Sequence, residues 1–382
     1  MNIKYQYTYF ISSFTIEEKQ YDKYILKLLK NKELKLKVYN NEKNTELKEY
    51  FSNELKNIMF STMKMTKNKQ KELEELNEQE YKKLLNIPSI SFEYILDNKT
   101  QAKLGQEDGA FFKIDKIELI CFNTGICFVL IKTYIEEKLN IQNILNFNYK
   151  FKKINLEKIT EQINIQTNEY KEQMELKQLI QELTGKDKQD NIYTYSYICV
   201  DGEEWNAQKD FTLLKPEVDR LVNVLPADSE EKTKNKIVEK SEYAQIIIGS
   251  KGTALITNSL EAYNCTKLPF EYETQYLYTL IFVLYEKLIL EKIQNKIKLN
   301  QKIKNENKIF IEQITKDEIG IKVYEEWQKK ARIRETYIKM SKKYNETIMK
   351  INKRNMIIIW GIIGVCSIIN IINIIVLSNI LK

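Results

Sequence analysis

The alternation of apolar and polar positions divides the chain into distinct stretches. YQYTYFISSFTI (5–16), rich in aromatic and β-branched residues, predicts a strand. Residues 16–83 carry Lys, Glu, Leu and Asn at helical spacing, which predicts helices with a break near Asn40–Asn44. From Ser89 to Tyr134 two long apolar runs surround Asn123-Thr124-Gly125. Asn and Gly tolerate the backbone of a tight turn, so this stretch predicts a hairpin.

Residues 155–184 return to a helical pattern, with Gly185 as its C-terminal stop. NIYTYSYICV (191–200) reads as a strand ending near Asp201-Gly202. The polar stretch after Pro226 predicts a mobile loop near 226–240. QIIIGSKGTALITNSL (245–260) contains two strand-like runs joined by Gly249-Ser250-Lys251-Gly252. Pro269 then precedes an apolar helix, Tyr276–Leu290. Only Tyr276–Tyr285 is uninterrupted by charge, too short to cross a bilayer, so a buried helix is expected. A last helix starts near Lys316 and, with no Gly after Gly320 until Gly361 and no Pro, reads as one continuous rod.

That rod leads into residues 356–380, which hold 25 residues without a charge. A helix needs roughly 20 such residues to cross the hydrocarbon core, so the segment predicts a transmembrane anchor. Residues 329–354 carry ten basic side chains against Glu335 and Glu346, a local balance of +8. Basic residues beside a span stay on the cytoplasmic side. A single-pass protein of the inner (cytoplasmic) membrane is expected, its N-terminal body in the cytoplasm. Lys342, Lys343, Lys350, Lys353 and Arg354 would meet the lipid surface. The whole chain carries +7; taking away this +8 and Lys382 leaves −2 for residues 1–328. A nearly neutral body does not advertise a nucleic-acid polymer as partner.

Composition narrows the chemistry further. Histidine is absent, which removes the commonest general base and transition-metal ligand. The carboxylate groups Glu107-Asp108, Asp201-Gly202-Glu203-Glu204 and Asp317-Glu318 lack metal-site spacing and read as solvated turns. Asp201, Glu203 and Glu204, at a strand end, are the best enzymatic candidates among them. The five cysteines include no CxxC pair. Cys121 and Cys127 are placed to face one another across the hairpin as buried thiols. No enzyme activity, metal or cofactor is expected. A glycine turn with Ser and Lys can cradle phosphate through its amides, but Gly249–Gly252 is not a Walker sequence and also reads as a plain hairpin. Within the span, Gly361, Gly364, Ser367, Asn370 and Asn373 recur every third residue. Small residues and amides on one arc suit helix packing, oligomerisation or a pore.

The expected fold is an α+β cytoplasmic body with a long C-terminal helical stalk and one C-terminal transmembrane helix. Its segments are 1–160, 161–270, 271–354 and 355–382. This layout resembles the divergent CorA-like membrane effectors that accompany type III CRISPR systems. YTYFISSFTI (7–16), FNTGICFVLI (122–131) and YLYTLIFVLYEKLIL (276–290) are similar in wording. CorA magnesium channels have two spans and a Gly-Met-Asn loop; this chain has one predicted span and no such tripeptide, so magnesium selectivity is not implied. The resemblance implies a cytoplasmic domain that binds a small nucleotide messenger and an oligomeric membrane part that disrupts the bilayer in antiviral defence. A membrane-tethered scaffold with a plain anchor and a divergent ion transporter are the alternatives.

Overall fold

The structure is a computed structural model. It describes residues 2–39, 45–61, 87–96, 101–104, 111–135, 140–156, 163–166, 173–185, 190–202, 205–231, 234–298, 311 and 313–343, with single helical positions at 346, 349, 353 and 356. Two compact units emerge, residues 1–285 with 310–331, and residues 286–309 with 332–382.

The first unit is a mixed α/β body around a twelve-stranded sheet. In chain order the strands are β1 (Asn2–Thr15), β2 (Leu34–Leu36), β3 (Ser89–Tyr94), β4 (Gln101–Leu104), β5 (Phe111–Phe122) and β6 (Ile126–Ile135). They continue as β7 (Ile163–Gln166), β8 (Gln173–Glu175), β9 (Asp190–Asp201), β10 (Lys236–Ser241), β11 (Ala244–Ile248) and β12 (Gly252–Asn258). The sheet order is β10-β11-β12-β9-β1-β6-β5-β4-β7-β8, with β2 joined to β3 and β3 to β5. All pairs are antiparallel except β9 with β12. Strands from 1–160 and from 161–270 therefore share one sheet, and β1 lies between β9 and β6.

The expected β5–β6 hairpin is present, and Cys121 pairs with Cys127 in register. Gly125 has φ +81°, and its carbonyl accepts from the Ile16 amide at 2.8 Å. A Cβ there would collide with the Ile16 carbonyl, so the turn needs glycine on both counts.

One face of the sheet is apolar, aliphatic side chains mixed with phenylalanines. Alternate residues such as Phe10 and Phe14 of β1, Leu119 of β5, Val129 of β6 and Ile198 of β9 belong to one core. Helices α1 (Tyr21–Leu29), α4 (Ile141–Leu156), α5 (Leu176–Thr184) and α6 (Ala207–Asn223) contribute to it through Ile25, Phe151, Leu179 and Leu221. Two short helices, α2 (Thr45–Tyr50) and α3 (Asn53–Met59), precede β3. The apolar stripe of α5 ends where Gly185 takes the left-handed conformation, the predicted stop.

The opposite face is covered by a helix that changes pitch. α7 (Ala262–Glu271) runs through a π turn, Tyr272–Tyr276, into α8 (Leu277–Lys298). Leu277, Leu280, Ile281 and Phe282 are buried, as expected of a core helix. α9 (Glu318–Lys330) follows; Asp317 caps it by accepting from the Gly320 amide at 2.6 Å.

Four expectations change. Residues 155–184 are not one helix, because β7 and β8 lie between α4 and α5. Residues 34–36 are a strand inside the expected helical region. Residues 236–240 of the expected loop belong to strand β10. The expected continuous rod ends at Ala331, because Arg332 has φ +56°; residues 333–343 are helical again. A left-handed residue interrupts the helical hydrogen-bond ladder whatever its side chain. Residues 62–86 and 357–382 lie outside the described residues, and with them the expected span. Among the described residues no helix is long and apolar enough to cross a membrane.

Candidate functional site

Three places in the first unit concentrate polar chemistry, and their electrostatics differ. The first is the face under α7 and α8. Tyr7, Tyr9, Tyr195 and Tyr197 alternate with the apolar-face residues of β1 and β9 and point the other way. Pro269 leaves α7 one amide short, and phenols supply donors along the same stretch. Tyr7 donates to the Pro269 carbonyl at 2.8 Å and Tyr195 to the Tyr272 carbonyl at 2.6 Å. Tyr197 donates to the Asn264 carbonyl. Burial pushes all these phenols far above their ordinary pKa, so they act as donors and not as nucleophiles.

Charges on this face are matched. Glu273, on the π turn, accepts from Tyr9 and pairs with Lys132 at 2.8 Å; Lys132 also reaches Asp115 at 3.0 Å. Glu118 is 1% exposed, with Lys37 at 2.8 Å and Lys116 at 3.2 Å. Burial raises the pKa of its carboxyl, but the two ammonium groups outweigh burial and bring it down to about 2. The phenols named above have acceptors and the charges are compensated, which makes this face a structural network; the Asn264 side-chain amide on α7 is buried there without a partner among the described residues.

The second place is the turn between β11 and β12, where the sequence singled out Gly249, Ser250, Lys251 and Gly252. It is a hairpin turn packed on the C-terminal end of α6. Gly249 donates to the Gly252 carbonyl at 2.9 Å, and Lys251 donates to the Val222 carbonyl at 3.3 Å. The Ser250 amide and hydroxyl both donate to Asn223 Oδ1, at 2.9 and 2.7 Å. The amides of Gly249, Ser250 and Lys251 are thus already used within the fold, as in the plain hairpin reading of this turn. The glycines have another cause. A Cβ at Gly249 would collide with the Val222 carbonyl, and one at Gly252 with the Thr194 hydroxyl.

The backbone next to this contact is strained. Val224 has φ +50°, a left-handed conformation that a β-branched residue rarely takes. Strain of this kind costs on the order of 1–3 kcal/mol and gathers at functional sites.

What the turn still offers is charge. The exposed ammonium of Lys251 stands near Lys152, half-buried on α4 and about a hundred residues away in sequence. Burial and the repulsion of Lys251 push Lys152 down to about 8. Neither lysine forms an ion pair among the described residues. Sequence reasoning singled out Lys251 but passed over Lys152, which carries no local motif.

The third place is a groove of about 380 Å³ between α6 and strands β10–β12. Asp219, Glu239 and Glu242 line it against one cation, Lys215, so its sign repels an anionic ligand.

The remaining sequence candidates are scattered. Lys342, Lys343 and Lys353 are exposed helical residues of the second unit. Asp201 accepts from the Ser259 hydroxyl at 3.1 Å, and Asp317 is the α9 cap. Cys199 and Cys265 approach to 3.4 Å between β9 and α7. Lys350, Arg354, Gly361, Gly364, Ser367, Asn370 and Asn373 lie outside the described residues, as do Glu107, Asp108, Glu203 and Glu204. Among the described residues no three side chains group to hold a metal. No family model matches the chain, and neither a curated protein nor a solved structure does.

Proposed function

We propose that the protein is a tail-anchored, oligomeric membrane effector whose cytoplasmic body senses a small anionic, nucleotide-like ligand. Its membrane part, with Asn370 and Asn373 on the packed arc, perturbs the bilayer once the ligand is bound. The antiviral setting follows from the resemblance to CorA-like effectors.

The observation that carries the sensing half is the pair Lys152 and Lys251, two ammonium groups that repel one another, neither in an ion pair among the described residues, with Lys251 held against the strained end of α6. A phosphate between them would relieve their repulsion and return Lys152 to its ordinary protonation. The uncharged stretch 356–380 behind ten basic residues supports the membrane half.

The test is dye release from liposomes carrying the full chain, with a panel of linear and cyclic nucleotides added outside. One class of nucleotide should trigger release. Lys152→Met and Lys251→Glu should each lower its affinity about ten-fold or more, the loss of one charge-assisted contact. Release that is constitutive, or unchanged in both variants, would refute the sensing role.

A further inference from the structure

We propose that the groove between α6 and β10–β12 is a binding site for a small organic cation with an apolar body, an alkyl- or arylammonium. The inference does not rest on the anion-sensing reading, since it concerns another site and the opposite charge.

The groove has an apolar floor. Leu214 and Val218 of α6 face Ile247 and Ile256 of the sheet, and all four are buried. Ile237, on the edge strand β10, closes one side yet remains 49% exposed. A half-exposed isoleucine beside a buried aliphatic floor is surface that an apolar ligand would remove from water, at roughly 25 cal/mol per Å². The volume of about 380 Å³ falls within the usual range for small-molecule sites and is too small for a folded partner.

The rim decides the charge. Asp219, Glu239 and Glu242 have no ion-pair partner among the described residues. Asp219 is held in place by Asn235, whose Nδ2 donates to it at 2.6 Å. Asn235 in turn accepts from Asn223 at 2.9 Å, which keeps the carboxylate aligned with the end of α6. A neutral apolar ligand would strip water from these carboxylates without replacing it, and an anion would be repelled. An ammonium head satisfies both needs, entering the rim while its apolar tail covers Ile237 and reaches the floor.

Phe211 lines the groove and packs edge-to-face on Trp205, with ring centroids 5.4 Å apart, which provides a fluorescent reporter. The experiment titrates the full chain in mild detergent with 4-phenylbutylammonium, 4-phenylbutanol and 4-phenylbutyrate, reading tryptophan emission and binding heat. The same titrations are run on Glu239→Gln/Glu242→Gln. Both residues are exposed, so the double variant keeps its fold, and subtraction between proteins removes partition into detergent. The ammonium should bind about ten-fold or more tighter than the carboxylate, as expected for one or two rim ion pairs. In the double variant its advantage over the alcohol should shrink to less than about three-fold. Equal binding of the three probes, no binding of any, or an ammonium affinity that the double variant leaves unchanged would each overturn the proposal.

Discussion

The same strands present two faces to two sets of helices, and the faces are held by different physics. On the apolar side Phe10 stacks on Phe151, ring centroids 3.9 Å apart, and Phe112 meets Phe147 at 4.9 Å. Such packing makes few directional demands and tolerates apolar side chains of similar volume and shape. One residue along β1, Tyr9 points to the other side and must find Glu273; Tyr7 must find the Pro269 carbonyl. Directional contacts fix the register of the helix against the sheet, and they fail abruptly when one partner is removed. The functional candidates sit at neither centre. They lie where α6 meets the β11–β12 end of the sheet, with uncompensated lysines on one side and uncompensated carboxylates on the other.

The sharpest way to break this contrast is Glu118. Glu118→Ala leaves the ammonium groups of Lys37 and Lys116 without their buried partner, and a loss of about 3–5 kcal/mol is expected in chemical denaturation. Phe151→Ala on the other face should cost a similar amount through its cavity. The mechanisms separate in rescue. Replacing the triad together (Lys37→Met, Lys116→Met, Glu118→Leu) should recover at least about half of the loss, because no charge stays unpaired. Acid separates them as well. The Glu118 carboxyl titrates near 2 in the folded chain and near its ordinary value unfolded, so its contribution is complete above about 4.5 and fades as pH falls toward 2. In Glu118→Gln the stability profile should be flatter across that window, and in Phe151→Ala it should keep the native slope.

Smaller effects probe the phenols. Tyr7→Phe and Tyr195→Phe each remove a phenol donor from a buried carbonyl that keeps one backbone donor, the Tyr272 amide on Pro269 and the Leu277 amide on Tyr272, so about 0.5–1.5 kcal/mol should be lost with the packed volume unchanged. No loss in either variant, measured by thermal unfolding, would show that the tyrosine face is held by packing alone.

Local chemistry made part of this legible in advance. Asn123-Thr124-Gly125 marked its hairpin because the turn needs a backbone that few residues take. Gly185 stopped α5 for the same reason. The strand 190–201 was visible in its aromatic and β-branched content. β7 and β8 were not, since INIQ and QME sit among good helix formers and become strands by pairing with β4 and with each other. The end of α9 carried no signal, because an arginine takes the left-handed position there. Gly249 and Gly252 were visible as glycines, but their cause was not: they make room for Val222 and Thr194, which only the fold brings near. Lys152 was silent for that reason too.

Lys152 gives the smallest expected effect on stability and the one most diagnostic of function. Its pKa in the folded chain lies near 8, below the ordinary value of a lysine, so the unfolded chain binds more protons between about 8 and 10.5. Stability should therefore rise with pH through that window; the penalty is full below 8 and gone above 10.5. Lys152→Met removes the buried charge and should raise Tm at pH 7 by roughly a degree or two, while flattening the rise above pH 8. A half-buried lysine that weakens the fold in this way is a candidate for a functional role. If that function is an anion, its binding at pH 8 should draw up to about half a proton onto Lys152, read as buffer-dependent binding heat, and Lys152→Met should lose both the uptake and the affinity. A variant that gains stability and keeps its ligand would make Lys152 a tolerated defect of the sheet's apolar side, and the positive corner would lose its claim to be the sensor.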